Sequence, residues 1–360
     1  MKNYCVILVL LILVICANAQ TENTIKIKKN KLSSFPVIFY APETRLAAGI
    51  FGSYTFYNKK DSTQKYPSQI QIGAAYTLNK QLLLFFPFRV YTKQNKYAIY
   101  GEAGYYKYSY FFYGIGNNQA TNYKELYRVN FPRVKINFLK QLKPNLFVGL
   151  RYWLENYKLK GIENNQQLDT ANITGVPNNF ISGIGPAFNY DTRDNIFYPI
   201  KGVFIDGGVQ FYGKELGSNF KYSRYNLDAS MYFANHNSNV FAFNLFADFL
   251  MGNQIPFNQL AMLGGNKKMR GYYEGRFRDK NLISLCTEYR FGIYKRFGGV
   301  FFANAGAVNS NLNNIAAHIQ TSVGTGARFT LNKAEKLNIR FDVGFGKKST
   351  GFYFTIGEAF

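Results

Sequence analysis

The chain has 360 residues and carries 43 Lys and Arg against 20 Asp and Glu, a formal net charge of +23. Its mean hydropathy of −0.20 is too polar for a bundle of membrane-crossing helices, while 47% hydrophobic and 18% aromatic residues exclude a disordered chain. No basic helix, helix-turn-helix or zinc module gathers the positive charge, so nucleic acid is not an expected partner.

The first element is a secretory signal. Lys2 gives a positive start, Val6 to Cys16 are unbroken apolar residues, and Ala17-Asn18-Ala19 supplies the small-x-small cleavage pattern. That run is too short to cross a bilayer core of about 30 Å as a helix. Lipidation at Cys16 is disfavoured by the bulky Ile15 before it. Residues 1–19 are therefore expected to be removed, leaving Gln20 first, a short periplasmic lead over 20–34 and a barrel over 35–360. Cys5 and Cys16 leave with the signal, so Cys286 is the remaining thiol and neither a disulfide nor a cysteine-based metal site is expected. No cofactor is expected.

Beyond the lead the pattern has period two. Leu337, Ile339, Phe341, Val343 and Phe345 alternate with Asn338, Arg340, Asp342, Gly344 and Gly346, and similar alternation marks Leu146 to Leu154 and Phe241 to Phe249. Strands are expected over Phe35 to Tyr40, Arg45 to Tyr57, Ser68 to Leu78, Leu82 to Thr92, Tyr97 to Ser109 and Tyr123 to Phe138. They continue over Leu146 to Lys160, Asn179 to Asp191, Gly202 to Gly213, Phe220 to Phe233, Val240 to Leu250 and Asn281 to Tyr294. The last four are Val300 to Asn309, Ala317 to Thr330, Leu337 to Gly346 and Gly351 to Phe360. A soluble antiparallel sandwich also alternates. The signal, the aromatic load and the long strands with charge opposite the apolar face favour an all-β, transmembrane antiparallel β-barrel of sixteen strands in the bacterial outer membrane. Short Asn-, Lys- and Gly-bearing turns at 92–96, 141–145, 234–239 and 331–336 fall on the periplasmic side, and the long connections after Lys160 and Met251 fall outside.

Three segments resemble the outer-membrane assembly and translocation barrels that include BamA and TamA. Asp191-Thr192-Arg193-Asp194-Asn195, with Pro199 and Gly202 downstream, looks like the family's turn between strands eight and nine. Leu263-Gly264-Gly265 running to Met269-Arg270-Gly271-Tyr272 is similar to its sixth-loop motif. The C-terminal FYFTIGEAF, with Phe352, Phe354, Ile356 and Phe360, resembles its assembly signal. The resemblance implies a sixth extracellular loop folded into the lumen and a role in inserting or translocating outer-membrane or surface proteins, or lipids. Family members usually carry periplasmic POTRA domains ahead of the barrel; the 20–34 lead leaves no space for one, so client capture is expected to fall to accessory subunits.

The candidate sites follow from these segments. In the Asn281 to Tyr294 strand, parity sends Ile283, Leu285, Thr287, Tyr289 and Phe291 to lipid, and Ser284, Cys286, Glu288 and Arg290 to the lumen. Arg270 needs a carboxylate for its guanidinium fork. Glu288 is the expected partner, with the neutral Asn304 second, where relatives tend to have Asp. Asp191 and Asp194 are expected to cap their own turn and not to act as an acid and base pair. His236-Asn237-Ser238 has the proximity of a hydrolase pair but the wrong depth, and His318 has no evident metal partners. The seam is expected to be the weakest pairing: the first strand is short, Pro36 removes a donor near Ile38, and Gly351 loosens the last strand. The charge suits acidic lipopolysaccharide or anionic clients, although its even spread also fits a compositional bias. A passive pore or structural barrel is the alternative function.

Overall fold

The structure, a computed structural model, describes residues 30–57, 67–117, 123–164, 166–235, 239–333 and 335–360. The expected signal peptide with Lys2, Cys5 and Cys16, the first residue Gln20, most of the 20–34 lead, and His236-Asn237-Ser238 lie outside the described residues.

Sixteen antiparallel strands close into a barrel. They are β1 (Lys31–Ala41), β2 (Arg45–Phe56), β3 (Ser68–Thr77), β4 (Leu82–Tyr91), β5 (Tyr97–Phe112), β6 (Glu125–Lys143), β7 (Leu146–Gly161) and β8 (Asn178–Asp191) in the first half. β9 (Gly202–Tyr212), β10 (Tyr222–Ala234), β11 (Val240–Met251), β14 (Asn281–Tyr294), β15 (Phe297–Asn309), β16 (Gln320–Asn332), β17 (Leu337–Gly346) and β18 (Ser349–Ile356) complete the ring. Two three-residue strands, β12 (Ala261–Leu263) and β13 (Phe277–Asp279), pair with each other inside the long connection between β11 and β14. Among the described residues no helix is long and apolar enough to cross a membrane.

The alternation in the sequence becomes the two faces of the wall. On β17, Phe341 and Phe345 stand 46% and 49% exposed, whereas Arg340 and Asp342, on either side of Phe341, are at 2% and 0%. Ile50, Ile72, Phe138, Leu150, Phe211, Leu285 and Phe301 repeat the apolar outer face around the ring. A closed ladder satisfies its backbone groups internally, so such a surface suits a bilayer. The inner face is polar and packed. Arg151 pairs with Asp206, Arg133 with Glu155 and Arg224 with Asp248, each within 2.8 Å. An apolar cluster that includes Ile255, Leu260, Leu263, Met269, Tyr272 and Phe277 of the connection fills the space against Tyr212, Leu250 and Val308 of the wall.

Several strand limits differ from the sequence reading, among them the end of β6, which runs to Lys143 and not Phe138, and the start of β16, which begins at Gln320 and not Ala317; two of the differences bear on closure of the ring. β1 is not short: it starts at Lys31 and pairs with β2 along its full length, from Lys31 opposite Thr55 to Ala41 opposite Arg45. Apolar alternation begins only at Phe35, but backbone pairing does not require it. β18 stops at Ile356, because Gly357 adopts φ +89, a left-handed conformation that turns the chain away from the wall. The ring therefore closes with β1 joined to β18 at Tyr40 opposite Phe354.

Purified in detergent, the folded chain should migrate differently on a gel before and after boiling, since a closed ladder has no edge from which to fray. Identical mobility in the two samples would contradict closure.

Candidate functional site

The site is assembled where the β11–β14 connection meets the inner faces of β14, β17 and β18. Arg270 is 1% exposed. Its Nη1 donates to Asp342 Oδ2 at 2.6 Å, and its Nη2 lies 2.5 Å from Glu288 Oε1, a charge contact without hydrogen-bond alignment. The guanidinium also stands 3.7 Å over the Phe302 ring. Glu288 is thus the expected partner. Asn304, expected as the second, is buried on the same face but donates to Ser322 Oγ at 2.9 Å, and the position beside Arg270 is taken by Asp342.

These two pairs belong to a closed circuit. Glu288 Oε2 accepts from Arg290 at 2.7 Å, Arg290 approaches Glu358 at 4.0 Å, and Glu358 pairs with Arg328 at 2.7 Å. Arg328 returns to Asp342 at 2.6 Å, and Arg340 lies 3.6 Å from the same carboxylate. Four cations share three buried carboxylates, so each carboxylate is held by at least two arginines and the cations are in excess.

The backbone of the motif is seated as closely as its side chain. Gly271 adopts φ +107, and a Cβ there would meet the backbone of Gly344, Phe345 and Gly346 at 3.1 Å. A Cβ on Gly344 would lie 2.7 Å from the backbone of Arg270 and Gly271. The tiny residues of β17 are the track on which the motif rests. Gly271 N donates to Tyr353 Oη at 3.1 Å, Tyr353 Oη donates to Tyr272 O at 3.3 Å, and Ser349 Oγ donates to Gly271 O at 2.6 Å. Tyr272 Oη accepts from Lys347 N at 2.7 Å and donates to Thr321 O at 3.1 Å. Cys286 donates to Lys268 O at 2.8 Å, so the buried thiol supports the same connection.

The C-terminal residues divide. Phe352 is exposed on the outer face, and Phe354 and Ile356 are half-buried. Phe360, expected in the last strand, instead lies beyond its end and packs with Tyr198, Ile200, Tyr232, Val240 and Ala242. Arg290 Nη2 donates to Phe360 O at 3.1 Å, and Asn338 Nδ2 donates to Glu358 Oε1 at 2.9 Å. Gly351 lies within β18 opposite Gly344, Pro36 sits opposite Ile50 and Ile38 opposite Ala48.

The turn from Asp191 to Gly202 is held by its own side chains. Asp194 Oδ1 accepts from Ile200 N and Lys201 N at 2.9 and 3.1 Å, and Asp191 accepts a forked contact from Arg193 at 2.8 and 3.0 Å. Pro199 is buried, and Gly202 adopts φ +107 with Thr192 O against the place of a Cβ. These carboxylates are occupied by turn geometry. Among the described residues no group of His, Cys, Asp and Glu could hold a metal ion.

Residues 34–360 match the model of the Omp85 superfamily domain. The chain belongs to the Omp85 superfamily. No curated protein matches it. BamA from Haemophilus ducreyi lacking POTRA domains 1-3 is similar in structure, with TM-score 0.62 and 13% identity over 91% of this chain and 70% of that one. CdiB from Acinetobacter baumannii gives 0.57 and 14% over 92% of this chain and 60% of that one. CdiB from Escherichia coli gives 0.62 and 7% over 92% and 63%, so this chain spans less than two thirds of either CdiB. At such identities the likeness is one of fold. As an Omp85 barrel of sixteen strands, the chain is an integral outer-membrane protein.

Sequence reasoning missed Asp342, Arg328 and Glu358. The available signal was on β17, where Asp342-Val343-Gly344-Phe345-Gly346 places one carboxylate beside two residues without side chains on a single face.

Replacing Arg270 or Glu288 by Ala should each destabilise the barrel by on the order of 3 to 5 kcal/mol, less where water reaches the stranded charge. A double-mutant cycle read by chemical denaturation should show coupling of about 1 kcal/mol or more; additive losses would deny the pairing. Gly344→Val should unseat the motif and lower the unfolding midpoint, whereas the same change at Gly292, where a Cβ meets open space, should not.

Proposed function

We propose that this barrel inserts or translocates polypeptides at the outer membrane, with Arg270-Gly271-Tyr272 as the element that fixes the β11–β14 connection in the lumen. The reading is supported by its Omp85 membership, by its fold likeness to BamA and CdiB, and above all by one observation. The circuit that seats the connection lies beside a seam whose strand ladder, among the described residues, pairs Tyr40 with Phe354 alone. Opening the seam exposes backbone groups in the bilayer that an incoming strand can pair with. Client polypeptides are the partners this implies. Accessory subunits would deliver them, and the basic excess suits acidic lipopolysaccharide around the barrel. A passive pore fits poorly, since the apolar cluster of the connection occupies the interior; a structural barrel is the reading left to exclude.

The test uses Tyr40→Cys with Phe354→Cys in a chain whose own cysteines are replaced by serine, reconstituted in liposomes with a urea-denatured outer-membrane barrel as probe. Oxidation should reduce probe insertion to the level of protein-free liposomes, and reductant should restore it. Full insertion with the seam quantitatively cross-linked would leave only the structural barrel.

A further inference from the structure

At the end of the barrel away from the Asp191 to Gly202 turn, four consecutive residues of the β11–β14 connection touch both sides of the seam. On the β18 side, Gly271 receives the Ser349 hydroxyl on its carbonyl and gives its amide to Tyr353, the neighbour of Phe354. On the β1 side, Glu274 N donates to Glu43 Oε1 at 2.6 Å. Glu43 lies in the turn directly after β1, is 4% exposed, and its carbonyl accepts from Asn79 Nδ2 and Gln81 Nε2 at 3.0 Å each, which ties the hairpin to the β3–β4 turn.

We propose that Gly271–Glu274 is an internal clasp across the seam, with Glu43 as its releasable catch. The strand ladder between β1 and β18 is joined at one position, so the two holds on this short segment carry closure at that end. The groups facing Glu43 make the catch sensitive to pH. They are Glu274 and Tyr273 of the connection, Tyr108 of β5, Tyr113 just beyond it, and Tyr353 of β18, with Arg276 and Arg278 of the connection beyond Tyr113. Burial, and then the charge of Glu274, push the Glu43 carboxyl up to about 7, against the opposing pull of the Glu274 amide. A carboxyl whose pKa is raised on folding contributes stability that is complete below its ordinary value and is lost as pH rises through the raised one. The clasp therefore holds in acid, weakens as pH rises above the ordinary carboxyl value of 4.5, and is fully loosened above about 7.

The experiment measures amide hydrogen exchange of β1 in the purified chain in detergent micelles, normalised to the unprotected rate at each pH. In the native chain, protection near Tyr40 should fall about tenfold or more between pH 5.5 and 8, one pKa unit being a tenfold change. Glu43→Gln keeps an acceptor without the charge and should hold protection constant, whereas Glu43→Ala should lack it even at pH 5.5. Unchanged protection in Glu43→Ala, or a native pH response that Glu43→Gln retains, would overturn the proposal. No client is present in the measurement, so its outcome is separable from that of the insertion assay.

Discussion

Arg270 cannot be buried alone. Removing a guanidinium from water costs several kcal/mol even after relaxation, and the cost is repaid only when its donors meet carboxylates in good geometry. Glu288 does not suffice, because it is shared with Arg290. Asp342 is needed, and it in turn is shared with Arg328 and Arg340. The demand propagates until the circuit closes through Glu358, and it dictates polar residues at alternate positions of β14, β16 and β17. The positions between them are left to face lipid, which explains why Phe341 and Asp342 can be neighbours in sequence and opposites in environment.

That division of faces was legible in the sequence because period two is a local property: each residue reports its own side of the wall. The seat of Arg270 was legible only in part. Glu288 could be assigned from parity on one strand, but the second carboxylate is 72 residues from Arg270, and its selection over Asn304 depends on which strand stands across the lumen. No short-range pattern encodes that distance. The C-terminal end failed for a related reason. FYFTIGEAF reads as a continuous strand, and Gly357 is a permissive signal, not a compulsory one. What turns the chain inward is the reward inside: Arg328 and Asn338 for Glu358, and Arg290 for the carbonyl of Phe360.

The inward tail also accounts for the seam, which had been expected to be weak for a different reason. Continuing the antiparallel register from Tyr40 and Phe354 would place Glu358 opposite Pro36, which has no N–H to give. There the backbone would find no donor in Pro36, and on the parity of Phe352 the Glu358 carboxylate would face lipid, whereas in the lumen it completes the ion circuit. β1 is accordingly well held by β2 and poorly held by β18, and the weakness arises from competition for the last four residues, not from a short first strand.

Two routes through such a barrel differ sharply in cost. An axial path requires the β11–β14 connection to leave the lumen, which breaks the Arg270 circuit, unseats Gly271 from Gly344, and returns the apolar cluster around Met269, Tyr272 and Phe277 to water. A lateral path breaks the pairing at Tyr40 and Phe354 and one of the two holds made by Gly271–Glu274, while every charge of the Arg270 circuit keeps its partner. Backbone groups freed at the seam are expensive in hydrocarbon, but an incoming strand can replace that pairing, whereas nothing entering the lumen axially can replace Asp342 and Glu288 for Arg270. On the proposed function the ion circuit thus does more than stabilise the wall: by making the interior costly to empty, it would leave the seam as the part of the barrel that moves.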